Sequence, residues 1–139
     1  MVTGKLDVIR YVVAEDSGEV INPKIVDGPV SGAVVQGIGA VLLEQSAYSA
    51  DSQPRATTLM DYLVPTAADV PAIEVVHLNK GGGAGAAWRR RGRRDGAPAA
   101  VTNAIGDALA PLGVRMREQH LPPARIVELV AEARGQAPK

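Results

Sequence analysis

The stretch "NPKIVDGPVSGAVVQGIGAVLLEQ", residues 22–45, decides the fold because it is long, apolar and without the alternation of a strand. It predicts a buried helix from Ile25 to Gln45, with Pro23 near the first turn, where a missing N–H is tolerated. Four glycines lie inside this helix: Gly28, Gly32, Gly37 and Gly39. Each costs roughly 1 kcal/mol of helix stability relative to Ala. We therefore expect another element to pack closely against the helix backbone.

Strand patterns lie on both sides of this helix. The segments "KLDVIRYVVAE", residues 5–15, and "AIEVVHL", residues 72–78, are rich in β-branched residues and predict strands. The segment at residues 47–65, "AYSADSQPRATTLMDYLVP", has turn residues near its middle and predicts a hairpin. Residues 114–121, "VRMREQHL", predict one more extended segment.

Two further helices are predicted in the second half of the chain. The alanine-rich run from Ala97 to Leu112 is followed by Gly113, which suits the position just after a helix. Residues 122–134, "PPARIVELVAEAR", begin with Pro and have the spacing of an amphipathic helix. One face of this helix carries its apolar residues: Ile126, Leu129, Val130 and Ala133.

The resulting element order, β-α-β-β-β-α-β-α, predicts an α+β fold of mixed short strands with two to three helices. At 139 residues the chain has the size of one domain, so we interpret residues 1–139 as a single unit. The Gly/Arg-rich loop at residues 79–95 is atypical. Lys80 to Arg94 holds six of the 15 basic residues and no acid, so the remainder of the chain is acidic.

Composition excludes several classes of site and location. The chain has no cysteine, so it has no disulfide, no thiolate nucleophile and no cysteine-ligated metal. Nothing around the two histidines has the spacing of metal ligands, and no metal site is predicted. We expect no apolar run to reach the roughly 18–20 residues that span a bilayer. Because "MVTGKLDVIR" has no signal-peptide apolar region, a soluble cytoplasmic protein without a membrane partner is expected.

Three long stretches, in order, resemble one family. They are residues 12–48, "VVAEDSGEVINPKIVDGPVSGAVVQGIGAVLLEQSAY", residues 60–78, "MDYLVPTAADVPAIEVVHL", and residues 96–115, "GAPAAVTNAIGDALAPLGVR". They resemble the C-terminal end of the large subunit of molybdenum hydroxylases, the family of xanthine dehydrogenase, aldehyde oxidase and aerobic carbon monoxide dehydrogenase. The resemblance extends over residues 5–78 and 96–133.

The resemblance implies an oxidoreductase that binds a molybdenum–molybdopterin cofactor, expected in its cytosine dinucleotide form. Such enzymes hydroxylate or oxidise small aldehyde, heteroaromatic or carbon monoxide-like substrates and pass electrons to iron–sulfur and FAD-binding subunits. The chain corresponds to the last segment of the molybdenum-cofactor-binding domain, a fragment without most of the cofactor pocket. The resemblance therefore implies a fragment that is inactive as an isolated chain and does not bind the cofactor alone.

Five residues at positions matching the family's cofactor site are the predicted cofactor-binding residues: Gly28, Pro29, Gly32, Gln36 and Gly96. In the family a Gln in a "G-Q-V-x-G" stretch reaches the molybdenum site, and Pro29 takes its place here. Proline has no side-chain amide and removes a backbone hydrogen bond inside a helix. Gln36 has an alternative interpretation as a packing or solvent-facing residue.

The catalytic motif of the family is also missing. Relatives have a Gly-rich loop ending in "G-x-G-E", whose Glu is the general base, a role suited to a carboxylate. Residues 79–95 contain no Glu, and Asp95 is flanked by Arg, which disfavours it as a base. No catalytic residue is therefore predicted. We hypothesise two compensating frame changes across this loop, after which the resemblance resumes at Gly96.

A non-catalytic remnant or interaction module is the alternative. It would dock on partner subunits or bind polyanions through Arg89–Arg94, although the acidic remainder disfavours nucleic acid. A glycine-rich helix that lacks its neighbour would expose an apolar face and favour self-association.

The remaining titratable residues have ordinary interpretations. We interpret the four acidic residues as capping or solvated carboxylates: Glu15, Asp16, Glu19 and Asp27. We interpret His77 and His120 as surface histidines.

Overall fold

A computed structural model describes residues 3–17, 20–78 and 96–135. The helices and strands are β1 (Arg10–Glu15), α1 (Pro23–Leu42), β2 (Ala72–His77), α2 (Gly96–Leu109) and α3 (Pro123–Ala133), with a 3₁₀ turn at Ala110–Leu112. Three helices with a short sheet confirm the predicted α+β class. The atypical loop at residues 79–95, including Arg89–Arg94 and Asp95, lies outside the described residues.

β1 and β2 form a two-stranded parallel sheet. Their register runs from Arg10 opposite Ala72 to Glu15 opposite His77. Parallel strands need a long crossover connection, and here it contains α1 and the irregular segment 43–71. One face of the sheet packs on the hydrophobic core through partly buried Tyr11, Val13 and Ile73. This packing therefore fixes the position of the carboxyl ends of β1 and β2 relative to the core.

The core joins α1 to α2 and α3. Its buried side chains include Val34, Ile38 and Val41 of α1, Val101, Ile105 and Leu109 of α2, and Ile126, Leu129 and Val130 of α3. The Leu121 N–H also donates to the Val41 carbonyl oxygen at 2.6 Å, which ties the chain before α3 to the end of α1. This burial, rather than helix propensity, stabilises the glycine-rich α1.

The expected close packing of the α1 glycines holds for two of the four. A Cβ on Gly37 would come 2.5 Å from Ala97 Cβ, and one on Gly39 would meet the Glu44 carboxylate and the Pro65 ring. Gly28 and Gly32 have nothing within 4 Å of such a Cβ. The expectation was therefore wrong, within the described structure, for the amino-terminal pair.

The bounds of α1 differ slightly from the prediction. The helix begins at Pro23, because the Asn22 side chain accepts the Lys24 N–H at 3.1 Å and caps it. It ends at Leu42, three residues before the predicted Gln45. It also continues through Pro29 without a break in the helix. The rest of the helix thus outweighs the one backbone hydrogen bond that proline removes.

The predicted hairpin at residues 47–65 is wrong in its extent, because antiparallel pairing is limited to residues 47–55. There an isolated bridge joins Tyr48 and Pro54, the Ser49 N–H donates to the Gln53 carbonyl oxygen at 2.9 Å, and the Arg55 N–H donates to that of Ala47 at 2.8 Å. Beyond it a side chain forms a local turn, as Thr58 donates to Asp61 at 3.0 Å. Such local hydrogen bonds from Ser, Thr and Asp compete with a sheet ladder.

The strand predicted at residues 114–121 is wrong as well. Val114 and Leu121 are buried, so both ends are held by the core, but the described sheet contains β1 and β2 only. An extended segment without a partner strand has no ladder.

The remaining helices agree with the sequence. Gly113 has a φ of 81°, the left-handed conformation expected at the end of the second helix. Ile126, Leu129 and Val130 are buried as predicted, whereas Ala133, the last residue of α3, is exposed.

α1 is, among the described helices, long and apolar enough to span a membrane by length and composition alone, with a mean hydropathy of 1.5. The expectation that no run reaches this length was therefore wrong. The helix reaches it because glycines and alanines link its apolar residues, and its inward face packs in the core through Val34, Ile38 and Val41. These contacts are those of a core helix.

Candidate functional site

The carboxyl ends of β1 and β2 lie side by side. Glu15, the last residue of β1, is in register with His77, the last residue of β2. The Leu78 N–H donates to the Glu15 carbonyl oxygen at 2.7 Å, so the pairing continues past the strands. Ligands of α/β sheets are commonly bound outside the carboxyl ends of parallel strands. This edge is therefore the candidate site.

His77 faces a carboxylate with each of its ring nitrogens. Nε2 lies 2.8 Å from Asp27 Oδ1, in the second turn of α1, and Nδ1 lies 3.5 Å from Glu15 Oε1. The Ser17 hydroxyl donates to the same Glu15 oxygen at 2.8 Å. Glu15 is 7% exposed, whereas the side chains of His77 and Asp27 are 26% and 45% exposed. The cluster thus leads from a buried carboxylate outward to solvent.

This cluster was missed in the sequence. His77 is partly buried and bridges two elements, so its interpretation as an ordinary surface histidine was wrong. Glu15 is buried and Asp27 contacts His77, so neither is a cap or a purely solvated group. Asp16 is exposed, as expected, and Glu19 lies outside the described residues.

A signal for the cluster was present in the strand alternation. Tyr11, Val13 and Glu15 follow one another at every second position, and so do Ile73, Val75 and His77. Residues at this spacing point to the same face of a sheet. Glu15 and His77 therefore continue the inward faces of their strands, and a parallel register brings them together.

Four of the five predicted cofactor-binding residues share the outer face of α1. Gly28, Gly32 and Gln36 follow at intervals of four residues, which places them in one row, and Pro29 lies beside them. All four are exposed, while the core side chains of Val34, Ile38 and Val41 lie on the opposite side of the helix. We call Gly28, Pro29, Gly32 and Gln36 the outer face.

Gly96, the fifth predicted residue, is at the amino end of α2. It is exposed, and nothing lies within 4 Å of a Cβ built on it. The next residue, Ala97, packs at Gly37, which lies half a helical circumference from Gly28. Gly96 is therefore not part of the outer face.

Two surface cavities of about 330 and 370 Å³ lie near the other end of the sheet. Both are lined by Leu6 and Val8, which precede β1, and by Leu42 at the end of α1. The larger one also reaches Tyr11, and burial raises the pKa of its hydroxyl. Neither cavity is lined by a residue of the His77 cluster or the outer face.

The molybdopterin cofactor-binding domain family matches residues 1–71, which include β1, α1 and the outer face. The chain belongs to this family. It corresponds to a C-terminal segment of a molybdenum hydroxylase large subunit, as the resemblance in the sequence predicted.

Relatives and solved structures agree with this family. The nicotine 6-hydroxylase large subunit of Paenarthrobacter nicotinovorans is 39% identical over 129 residues, which are 91% of this chain and 16% of that protein. Quinoline 2-oxidoreductase from Pseudomonas putida 86 is 40% identical with a TM-score of 0.78, over 91% of this chain and 16% of that one. CO dehydrogenase from Oligotropha carboxidovorans shares the fold, with a TM-score of 0.82 at 21% identity over 98% and 17% of the two chains. The chain thus spans about a sixth of the relatives it matches.

The outer face combines an open helix backbone with one polar side chain. Gly28 and Gly32 leave the helix backbone open, and Gln36 supplies an exposed amide on the same side. Pro29 has no polar side-chain atom for a molybdenum ligand. Among residues 3–17, 20–78 and 96–135, no cluster of three or more His, Asp or Glu could hold a metal ion.

Proposed function

We propose that this chain forms one wall of a molybdenum–pterin site in an oxidoreductase that hydroxylates or oxidises a small organic substrate. The observation that carries the proposal is the outer face, where Gly28 and Gly32 leave the α1 backbone open beside the Gln36 amide. Glycine permits a ligand to approach a backbone closely. The family match over residues 1–71 includes the whole face and supports the proposal.

Nitrogen heteroaromatic molecules are the proposed substrate class, within the broader set of aldehyde, heteroaromatic and carbon monoxide-like substrates. The relatives named for nicotine and quinoline support this choice, because both compounds contain such a ring. That the nicotine hydroxylase relative is a large subunit supports partner subunits in general, and we propose iron–sulfur and FAD-binding ones. The cytosine dinucleotide form of the pterin and a cytoplasmic location complete the proposal.

The isolated chain is proposed to be inactive. Pro29 stands where the family has the amide that reaches molybdenum, and residues 79–95 contain no Glu to act as a base. Removing a general base typically costs 10²–10⁴-fold in rate. The wall can therefore hold a cofactor without supporting turnover.

A docking module is the second candidate, and exposed apolar side chains favour it. Leu59 and Met60 are 75% and 90% exposed, and Leu63 and Val64 follow them on the same exposed loop. Apolar clusters of this kind mark interaction surfaces. The proposed partner is the remaining part of a large subunit, which this chain does not contain. In the absence of that partner the exposed loop promotes self-association. Sedimentation of the chain and of a Met60→Lys variant measures this self-association.

A chimera tests the cofactor proposal. The segment of the nicotine 6-hydroxylase large subunit that aligns with this chain is replaced by residues 1–139, and the purified complex is assayed for molybdenum, pterin and nicotine hydroxylation. We expect molybdenum and pterin to be retained and hydroxylation to be lost. A chimera that restores the relative's own residues at Pro29 and at 79–95 should recover hydroxylation. A folded chimera without pterin would contradict the proposal.

A further inference from the structure

The amino-terminal turns of α1 are not held by the core. The first buried residue of this helix is Val30, and residues 23–29 are all exposed or only partly buried. Helix ends without burial fray, because their hydrogen bonds are open to solvent. A contact outside the core must therefore hold these turns in place if they are to present a fixed surface.

His77 makes such a contact. It ends β2, its Nε2 lies 2.8 Å from Asp27 of α1, and its Nδ1 lies 3.5 Å from Glu15 at the end of β1. Asp27 directly precedes Gly28, the first residue of the outer face. One imidazole thus connects both strand ends to the turns that begin the outer face.

The chemistry of this contact depends on the protonation of His77. A neutral imidazole has one N–H and can donate to one carboxylate, whereas the imidazolium donates from both nitrogens. Among residues 3–17, 20–78 and 96–135, the charged groups that face His77 are Glu15 from β1 and Asp27 from α1. Asp16, which follows Glu15, and Lys24, three residues before Asp27, are exposed. Only the imidazolium therefore links all three elements.

We propose that His77 is a positioning residue, which in its imidazolium form clamps the amino-terminal turns of α1 to the carboxyl ends of β1 and β2. It acts through Asp27 and Glu15. Its significance for the outer face depends on the proposed function, but the clamp itself is a property of this chain and is tested without cofactor.

Amide hydrogen exchange of the 139-residue chain tests the clamp. We measure protection factors of the α1 amides at residues 27–32 other than Pro29, which has no N–H, and those of α3 as an internal reference. The variant His77→Val removes both donors and suits a strand. Loss of a charge-assisted hydrogen bond predicts a drop in protection of roughly tenfold at residues 27–32, with α3 unchanged.

Two further variants make this result specific. His120→Val is the matched control, because His120 Nδ1 lies 3.3 Å from the Ala40 carbonyl oxygen near the other end of the same helix. It should leave residues 27–32 unchanged. Asp27→Ala removes the acceptor on α1 while adding a better helix former, so any loss of protection arises from the missing contact. This variant decides the question if His77→Val also reduces the protection of α3.

The pH profile separates a clamp from a space-filling side chain. Protection at residues 27–32 should fall when the His77 ring loses its second proton, which its ring-proton NMR signal reports in the same samples, because the second donor is lost. Protection that does not follow the loss of that proton, or unchanged protection in Asp27→Ala, would overturn the proposal. A chimera that fails to retain pterin would contradict the proposed function and leave the clamp standing.

Discussion

Gly37 of α1 and Ala97 of α2 lie so close that a Cβ on Gly37 would come 2.5 Å from the Ala97 Cβ. The Ala97 carbonyl carbon and the Pro98 ring lie 3.1 Å from the same point, so backbone and a rigid ring surround it. Gly37→Ala should therefore lower the free energy of unfolding by about 1–3 kcal/mol, the usual cost of overpacking. Urea denaturation followed by circular dichroism measures this loss, and an unchanged midpoint would contradict the packing described.

Gly28 and Gly32 should respond in the opposite direction. Nothing lies within 4 Å of a Cβ at either position, so Gly28→Ala and Gly32→Ala gain helix propensity without a clash. Each should raise the free energy of unfolding of the isolated chain by roughly 0.5–1 kcal/mol. The same urea experiment measures it, with Gly37→Ala as the matched control. Destabilisation by either variant would mean that another group packs on this side of α1.

Tyr62 predicts an alkaline transition. Its hydroxyl donates to Glu44 Oε2 at 2.9 Å, and this hydrogen bond raises the pKa of Tyr62 above its ordinary value of 10.0. The bond's contribution to stability is therefore present below pH 10.0 and is lost as pH rises through the higher pKa of the folded state. Tyr62→Phe should remove this alkaline step in thermal unfolding without changing the profile near neutral pH. A step that survives in Tyr62→Phe would have another origin.

Asp69 predicts a step in acid. Hydrogen bonds from the Thr66 hydroxyl and N–H, at 2.6 and 2.9 Å, lower the pKa of Asp69 below 3.8. Their contribution is present above pH 3.8 and is lost as pH falls through the lower pKa of the folded state. Thr66→Ala removes the hydroxyl and should weaken this acid dependence, as measured by thermal unfolding between pH 2 and pH 5. Thr57→Ala, on the same exposed segment, is the control.

Arg125 predicts a salt-dependent loss of stability. Its guanidinium contacts Glu118 at 2.7 Å, Glu128 at 2.8 Å and Glu132 at 3.0 Å, and these carboxylates raise its pKa. Arg125→Ala would leave three neighbouring carboxylates without the cation between them. The melting temperature should fall, and added salt should reduce the difference from the parent because it screens the repulsion.

The control for this variant is Arg115→Ala, which removes an exposed arginine elsewhere on the surface. A loss of stability in Arg125→Ala that is equal at low and high salt would show that packing of the arginine stem matters more than charge.

The elements that the sequence predicted correctly are those with a strong local pattern. Asn22 caps the start of α1, Gly113 follows the helical segment that contains α2, and α3 begins at proline. Both observed strands are rich in β-branched residues. The hairpin predicted at residues 47–65 has the same local appearance, but it pairs only at residues 47–55, and Ser49 and Thr58 side chains bind nearby backbone. Whether a β-like segment finds a partner strand depends on tertiary contacts that no local window contains.

The candidate site was predicted in part for a similar reason. The outer face follows from helical spacing, so Gly28, Gly32 and Gln36 could be grouped from sequence. The contact between His77 and Asp27 joins residues 50 positions apart. It depends on the parallel register of β1 and β2, which is set by the crossover through α1. Each residue alone has the appearance of an ordinary surface group.

Binding of the pterin to the outer face of α1, the claim on which the proposed function rests, is tested by the molybdenum content of the chimera when that face is blocked. Gly32→Leu in the chimera places a bulky side chain on the outer face, and Asn103→Leu places the same side chain on an exposed position of α2. The claim predicts that Gly32→Leu abolishes molybdenum and pterin retention while Asn103→Leu retains both. Full retention of the cofactor by Gly32→Leu would contradict it.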